Sequence, residues 1–134
     1  MFSVTILNNK VKIYKFTQEQ YKLNYREFIK TNNIMCQTFL EDEITLYKYV
    51  NDDDVLFESL STIYDPRKYS IINIHEDLPG IDHVGIVNKI SGYFVENNIP
   101  LLYINTFSYN LILISDEYIE KALEVLKKIS IVDF

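Results

Sequence analysis

The sequence predicts an α+β protein made of two ferredoxin-like βαββαβ units, each an antiparallel sheet with its helices on one face. Three observations lead there. From Ser70 to Ser115, an isoleucine-rich run is followed by a turn, a helical pattern and two further apolar runs. An amphipathic stretch and a short apolar C-terminus then complete the βαββαβ order. The same order recurs more faintly in the first half, which makes the chain an internal structural repeat. It divides accordingly into a first unit, residues 1–66, and a second, residues 67–134.

In the first unit, Phe2–Leu7 and Val11–Lys15 read as extended segments joined at Asn8-Asn9-Lys10, a hairpin. Gln18–Lys30 is polar on one side and carries Tyr21, Tyr25, Phe28 and Ile29 on the other, the pattern of a surface helix. Cys36–Leu40 and Ile44–Val50 are strands on either side of Glu41-Asp42-Glu43. Asp52-Asp53-Asp54 is a solvated acidic run that opens a short helix, Val55–Leu60, because carboxylates suit the positive end of the helix dipole. Ser61–Tyr64 returns to the sheet, and Asp65-Pro66-Arg67 marks the boundary.

In the second unit, Ser70–His75 is the first strand and Pro79-Gly80 a turn. Asp82 caps the next helix, with Ile81 placed as a staple residue. Val84, Val87, Ile90 and Phe94 form its buried face, and Asn97-Asn98 ends it. Leu101–Ile104 and Leu111–Ile114 are strands joined by the turn-tolerant stretch 105–110. The last helix starts at Ser115 or Asp116 and buries Ile119, Ala122, Leu123, Leu126 and Ile129. Asp116 and Glu117 near its start and Lys127 and Lys128 near its end agree with the dipole. Ile131–Phe134 is the last strand.

Composition narrows the function. Hydrophobic residues make up 48% of the 134-residue chain, enough for a packed core. A formal net charge of −6 argues against a nucleic-acid surface. RNA-recognition modules of this fold class present aromatics on their central strands, and Ser70–His75 and Leu111–Ile114 carry none. The lone Cys36 can form no internal disulfide, which fits a reducing cytoplasm. There is no membrane-spanning run and no signal-peptide pattern at the N-terminus. His75, His83 and Cys36 lack metal-ligand spacing, and no nucleophile, phosphate-loop or dinucleotide motif is present. The expectation is a cytoplasmic protein that is not an enzyme and uses no cofactor.

All three glycines (Gly80, Gly85, Gly92) and two of the three prolines (Pro79, Pro100) fall in the Ser70–Ser115 stretch. Pro79-Gly80-Ile81-Asp82 is either a turn leading into a capped helix or an anion site made by free N–H groups at a helix start. Gly85 and Gly92 lie on one side of their helix and cost about 1 kcal/mol each against alanine. Close packing of a second helix would offset that cost, and so would a ligand lying against Gly85.

The stretch D-L-P-G-I-D-H-V-G-I-V-N-K-I-S-G-Y-F, followed by N-N-I-P-L-L-Y-I-N-T-F-S-Y-N-L-I-L-I, resembles an ACT domain. Its subtype is similar to that of the CASTOR arginine sensors and of short bacterial proteins made of two ACT domains. The segments V-T-I-L-N-N-K-V-K-I-Y-K and C-Q-T-F-L-E-D-E-I-T-L-Y-K-Y-V resemble the first ACT unit of such proteins. The resemblance implies a ligand site where the Pro-Gly loop meets a neighbouring unit. Carried over by position, it implies Gly80, His83, Val84, Val87, Thr106, Phe107 and Asn110, with Pro100 and Leu101 on the facing unit. It also implies an amino-acid ligand, a homodimer and a regulated protein partner. Where the arginine sensors have acids, this chain has His83 and Asn110, which disfavours a guanidinium ligand. The alternative is an interaction or scaffold module that keeps the fold and binds no small ligand.

Overall fold

The computed structural model describes residues 2–30, 33–75 and 83–133. The chain forms two compact units. One is the inserted unit, Asn9–Lys68; the other is the terminal unit, Met1–Asn8 with Tyr69–Phe134. The first eight residues therefore group with the second half of the sequence. A long strand, β1 (Ser3–Phe16), gives its first half to the terminal unit and its second half to the inserted one.

The inserted unit continues with α1 (Gln18–Lys30), β2 (Ile34–Phe39), β3 (Ile44–Tyr49), α2 (Asp54–Leu60) and β4 (Ile63–Tyr64). Its sheet runs in the order β2-β3-β1-β4 and is antiparallel throughout, with Val11 opposite Tyr49 and Phe16 opposite Ile44. Alternation sets its faces. Lys12, Tyr14 and Phe16 of β1 and Ile44, Leu46 and Lys48 of β3 are buried, whereas Lys15 between them is exposed. Thr17 caps α1, its hydroxyl accepting from the Gln20 N–H at 3.1 Å. Tyr21 and Phe28, seven residues apart, then pack from α1 onto Tyr14, Phe16, Ile44, Leu46 and Phe57.

The terminal unit contains β5 (Tyr69–His75), α3 (His83–Glu96), β6 (Leu102–Asn105), β7 (Asn110–Ser115), α4 (Ile119–Ile129) and β8 (Ile131–Asp133). Its strand order is β8-β1-β5-β7-β6. The β5–β7 and β6–β7 pairs are antiparallel, but β8 runs parallel to β1, with Ser3 opposite Ile131. Its core joins Phe2, just before β1, and Val4 of β1 to Ile72 and Ile74, Ile90 and Phe94 of α3, Ile112 and Ile114, and Ala122, Val125 and Leu126 of α4. Asn98 ends α3 in the left-handed region (φ 55°), and the Ile99 N–H donates to the Phe94 carbonyl at 2.9 Å. This is a Schellman-type stop, with asparagine tolerating the positive φ.

Three sequence expectations need correction. The hairpin at Asn8-Asn9-Lys10 does not form; these exposed residues lie in the middle of β1, whose halves find partners in different units instead of pairing with each other. The final helix starts at Ile119, with Tyr118 as its cap residue. Ser115 is held in register opposite Tyr69, so Asp116 and Glu117 form a turn closed by the Tyr118 N–H on the Ser115 carbonyl at 3.0 Å. Finally, Asp53 and Asp54 are not a merely solvated run, as the next subsection describes. No described helix is long and apolar enough to cross a membrane.

Candidate functional site

Of the residues expected to form a site, the structure describes some and not others. Gly80, the Pro79-Gly80 turn and the Asp82 cap fall outside the described residues. His83, Val84 and Val87 lie in the first turns of α3, and their side chains are outside the description. Behind them, Ile90 and Phe94 carry the buried face of that helix. A Cβ placed on Gly85 or Gly92 meets nothing within 4 Å, so nothing described in this chain requires glycine there.

The hairpin between β6 and β7 carries the rest. The Thr106 N–H donates to the Tyr109 carbonyl at 2.9 Å, and the Tyr109 N–H donates to Thr106 Oγ1 at 3.0 Å. These bonds close the loop from inside and leave Phe107 fully exposed at its tip. Asn110 opens β7 opposite Asn105, and its Oδ1 accepts from the Tyr103 hydroxyl at 3.0 Å. Pro100 is exposed, while Leu101 is half-buried against the core. Leu101 and Tyr103 face Ile90 and Ser91 of α3 across a narrow apolar crevice floored by Ile74 and Ile112. The segment Leu102–Ser115 holds no charged residue. A ligand resting there would meet amide, hydroxyl and apolar groups.

Two features of the inserted unit were not anticipated. The first is a buried charge cluster. Lys12 and Lys48 stand directly opposite each other on β1 and β3, at 7% and 0% exposure. Lys48 Nζ lies 2.5 Å from Asp53 and 2.6 Å from Asp54, and 2.8 Å from both Asn51 Oδ1 and the Tyr49 carbonyl. Lys12 Nζ lies 2.5 Å from Glu58, one helical turn beyond Asp54. Two cations facing each other across a sheet repel; the carboxylates of α2 reverse that and seat the helix on the strands. Beside them the Tyr14 hydroxyl is buried with no hydrogen-bond partner among the described residues. Burial, with Asp54, Glu58 and Asp53 nearby, raises its pKa above the ordinary tyrosine value. The sequence held a signal for this cluster, since Lys12 shares the parity of Tyr14 and Phe16, and Lys48 that of Ile44 and Leu46.

The second feature is a cleft of about 520 Å³ between α1 and β2, walled by Tyr21, Tyr25 and Phe28 on one side and Met35, Cys36 and Gln37 on the other. Burial raises the pKa of the Cys36 thiol, so it stays protonated near neutral pH.

A family model described as ACT domain matches residues 66–128. No curated protein sequence matches the chain. Among solved structures, a Vibrio cholerae protein of unknown function, described as a possible transport protein, aligns with a TM-score of 0.72 at 12% identity, covering 95% of this chain and 88% of that one. A candidate C-terminal regulatory domain of aspartate kinase from Porphyromonas gingivalis aligns with a TM-score of 0.67 at 15% identity, covering 96% of both chains. Escherichia coli aspartokinase III, solved with aspartate and ADP, aligns with a TM-score of 0.59 at 14% identity, over 95% of this chain and 32% of that enzyme. At such identities the likeness is one of fold. An ACT domain is thus found in this chain, over residues 66–128, and its structural neighbours include regulatory domains of aspartate kinases.

Proposed function

We propose that the chain is a non-enzymatic regulatory protein that binds a small ligand, an amino acid, through two ACT units arranged in tandem. The observation that carries this reading is the ACT match over 66–128, which spans β5, α3, β6, β7 and nearly all of α4. It is supported by the near full-length likeness to an aspartate kinase regulatory domain and by the aspartate present in the aspartokinase III structure. In this proposal the ligand carboxylate sits at the start of α3, where helical N–H groups are free. Gly80, His83, Val84 and Val87 lie around it, and Thr106, Phe107 and Asn110 approach from the hairpin. Pro100 and Leu101 come from a second copy of the chain. Ligand bound at such an interface favours one arrangement of the units, and a protein partner reads that arrangement.

The uncharged hairpin sets the proposed selectivity: a neutral amino acid over arginine. Thermal unfolding with a panel of amino acids tests the reading. A ligand present at 100 times its Kd adds about 2.7 kcal/mol of stability, so a neutral amino acid should raise Tm and arginine should not. Asn110→Asp should shift preference towards lysine and arginine, since a charge-assisted hydrogen bond contributes roughly 1.5–3 kcal/mol. No shift with any amino acid would abandon ligand sensing in favour of an interaction module. That second reading has one observation in its favour: the Asn110 amide oxygen is already engaged by Tyr103 within the hairpin.

A further inference from the structure

We propose that the cleft between α1 and β2 of the inserted unit is a separate binding site, for a neutral, planar aromatic small molecule. Its volume, about 520 Å³, lies in the range of small-molecule sites, roughly 300–1,000 Å³. Its walls are aromatic in the geometry that accepts another ring. Tyr21 stands edge-on to Phe39 at 5.5 Å between centroids and to Tyr25 at 5.8 Å, and it lies 5.3 Å from Phe28. Tyr25 and Phe39 are left 49% and 56% exposed, so much of the ring surface beside the cleft faces no partner in the chain.

The opposite wall is built by a departure from regular pairing. The register of β2 on β3 slips between Ile34 and Cys36, leaving Met35 as an extra residue. A bulge of this kind re-aims side chains, and here Ile34, Met35, Cys36 and Gln37, four consecutive residues, all line the cleft. Gln37 stands opposite Leu46 on the α1 face and Cys36 opposite Tyr47 on the other, so Cys36 borders the cleft along the edge of β2.

Polarity narrows the ligand class. No charged residue is among the described residues that line the cleft. The described lining offers no ionic partner to the ammonium and carboxylate of a free amino acid. The polar groups present are neutral. The Tyr21 hydroxyl donates to Gln37 Oε1 at 3.1 Å, which leaves the tyrosine oxygen as an acceptor and the Gln37 amide as a donor for one polar atom on the ring. This site is independent of the amino-acid reading and stands or falls separately from it.

The composition supplies the test. Met35 is one of only two methionines, and the chain has no tryptophan. In the full chain labelled with ¹³C at the methionine methyls, titration with indole should move the Met35 methyl signal upfield in a saturable way and leave Met1 in place. Indole fluorescence, free of any protein tryptophan signal, should follow the same curve. Gln37→Phe, which projects a ring into the cleft from the α1 face of β2, and Tyr25→Ala, which removes an exposed wall, should each weaken indole by about tenfold or more, while zwitterionic tryptophan should bind the wild type at least about tenfold less tightly than indole. A Met35 signal that does not respond, or that moves together with Met1, overturns the proposal. So does tryptophan binding more tightly than indole. A Met35 shift that depends on protein concentration without indole would assign the cleft to a second copy of the chain and equally overturn it.

Discussion

Lys48 shows how a residue type that usually marks the surface can organise an interior. Its side chain is fully buried, its ammonium is held by Asp53, Asp54, Asn51 and a carbonyl, and it lies 5.1 Å from the Phe57 ring centroid. Replacing it with methionine keeps the volume but strands two partly buried carboxylates, so Lys48→Met should cost about 3–5 kcal/mol in urea unfolding. Tyr14 should behave in the opposite way. Its hydroxyl is buried and unpartnered among the described residues, so Tyr14→Phe removes a polar group that costs about 1–3 kcal/mol while keeping the ring packed on Phe57. The variant should be at least as stable as wild type at pH 7. The pH dependence carries the sign check. Because the folded pKa is raised, the unfolded chain ionises first, from about pH 10. The Tyr14 contribution to stability is therefore intact below about pH 10 and falls as pH climbs towards the folded value. Tyr14→Phe should flatten that alkaline decline, and the remaining slope includes Cys36, Tyr21 and Tyr47, whose pKa values burial also raises. The lysine cluster was present in the strand alternation, yet a rule that places lysine outside hides it. The carboxylates that make its burial possible sit on a helix whose docking only the tertiary fold reveals.

Elements were more legible than residues. Local periodicity placed α1, α3 and the strands from β2 to β7 to within about two residues. It failed where local preference competed with long-range pairing, at the centre of β1 and at the start of α4. The candidate site follows the same pattern. Thr106, Phe107 and Asn110 were placed on a hairpin because turn residues announce themselves. The α1–β2 cleft went unnoticed because Tyr21, Tyr25 and Phe28 have the spacing of an ordinary core face, and a bulge leaves no mark in the sequence. Helix α3 offers a direct test of its glycines. Since a Cβ at Gly92 meets open space, Gly92→Ala should stabilise the isolated protein by about 0.5–1 kcal/mol through helix propensity and backbone entropy. Chemical denaturation measures that gain. If Gly92→Ala stabilises the fold but weakens self-association in light scattering, the glycine serves close packing of a neighbouring copy. A loss of stability at high dilution would contradict the open space around it.

At the scale of the molecule, the division into units makes residues 2–8 part of the terminal unit, although the ACT match begins only at residue 66. Phe2 and Val4 are 4% and 0% exposed in that unit's core, and Ser3–Thr5 pairs with Ile131–Asp133 of β8. Thr5 and His75 share a further hydrogen bond at 2.8 Å. A fragment of residues 67–134 would lose this strand, expose the pairing edges of β5 and β8 and open a cavity where Phe2 sat. Removing a single buried phenylalanine side chain costs about 3–5 kcal/mol, a large share of the roughly 5–15 kcal/mol that holds a domain together. A unit of that size is marginal even when complete. The fragment should therefore be poorly dispersed by NMR and prone to associate through its open edges. Joining residues 2–8 to it through a flexible glycine-serine linker should restore a cooperative melt, because the lost contacts lie within one unit. The same linker carrying Phe2→Ser and Val4→Ser should not. If the bare fragment melts cooperatively and disperses as well as the linked one, the first strand is dispensable to the ACT unit and the assignment of residues 2–8 to its core is wrong.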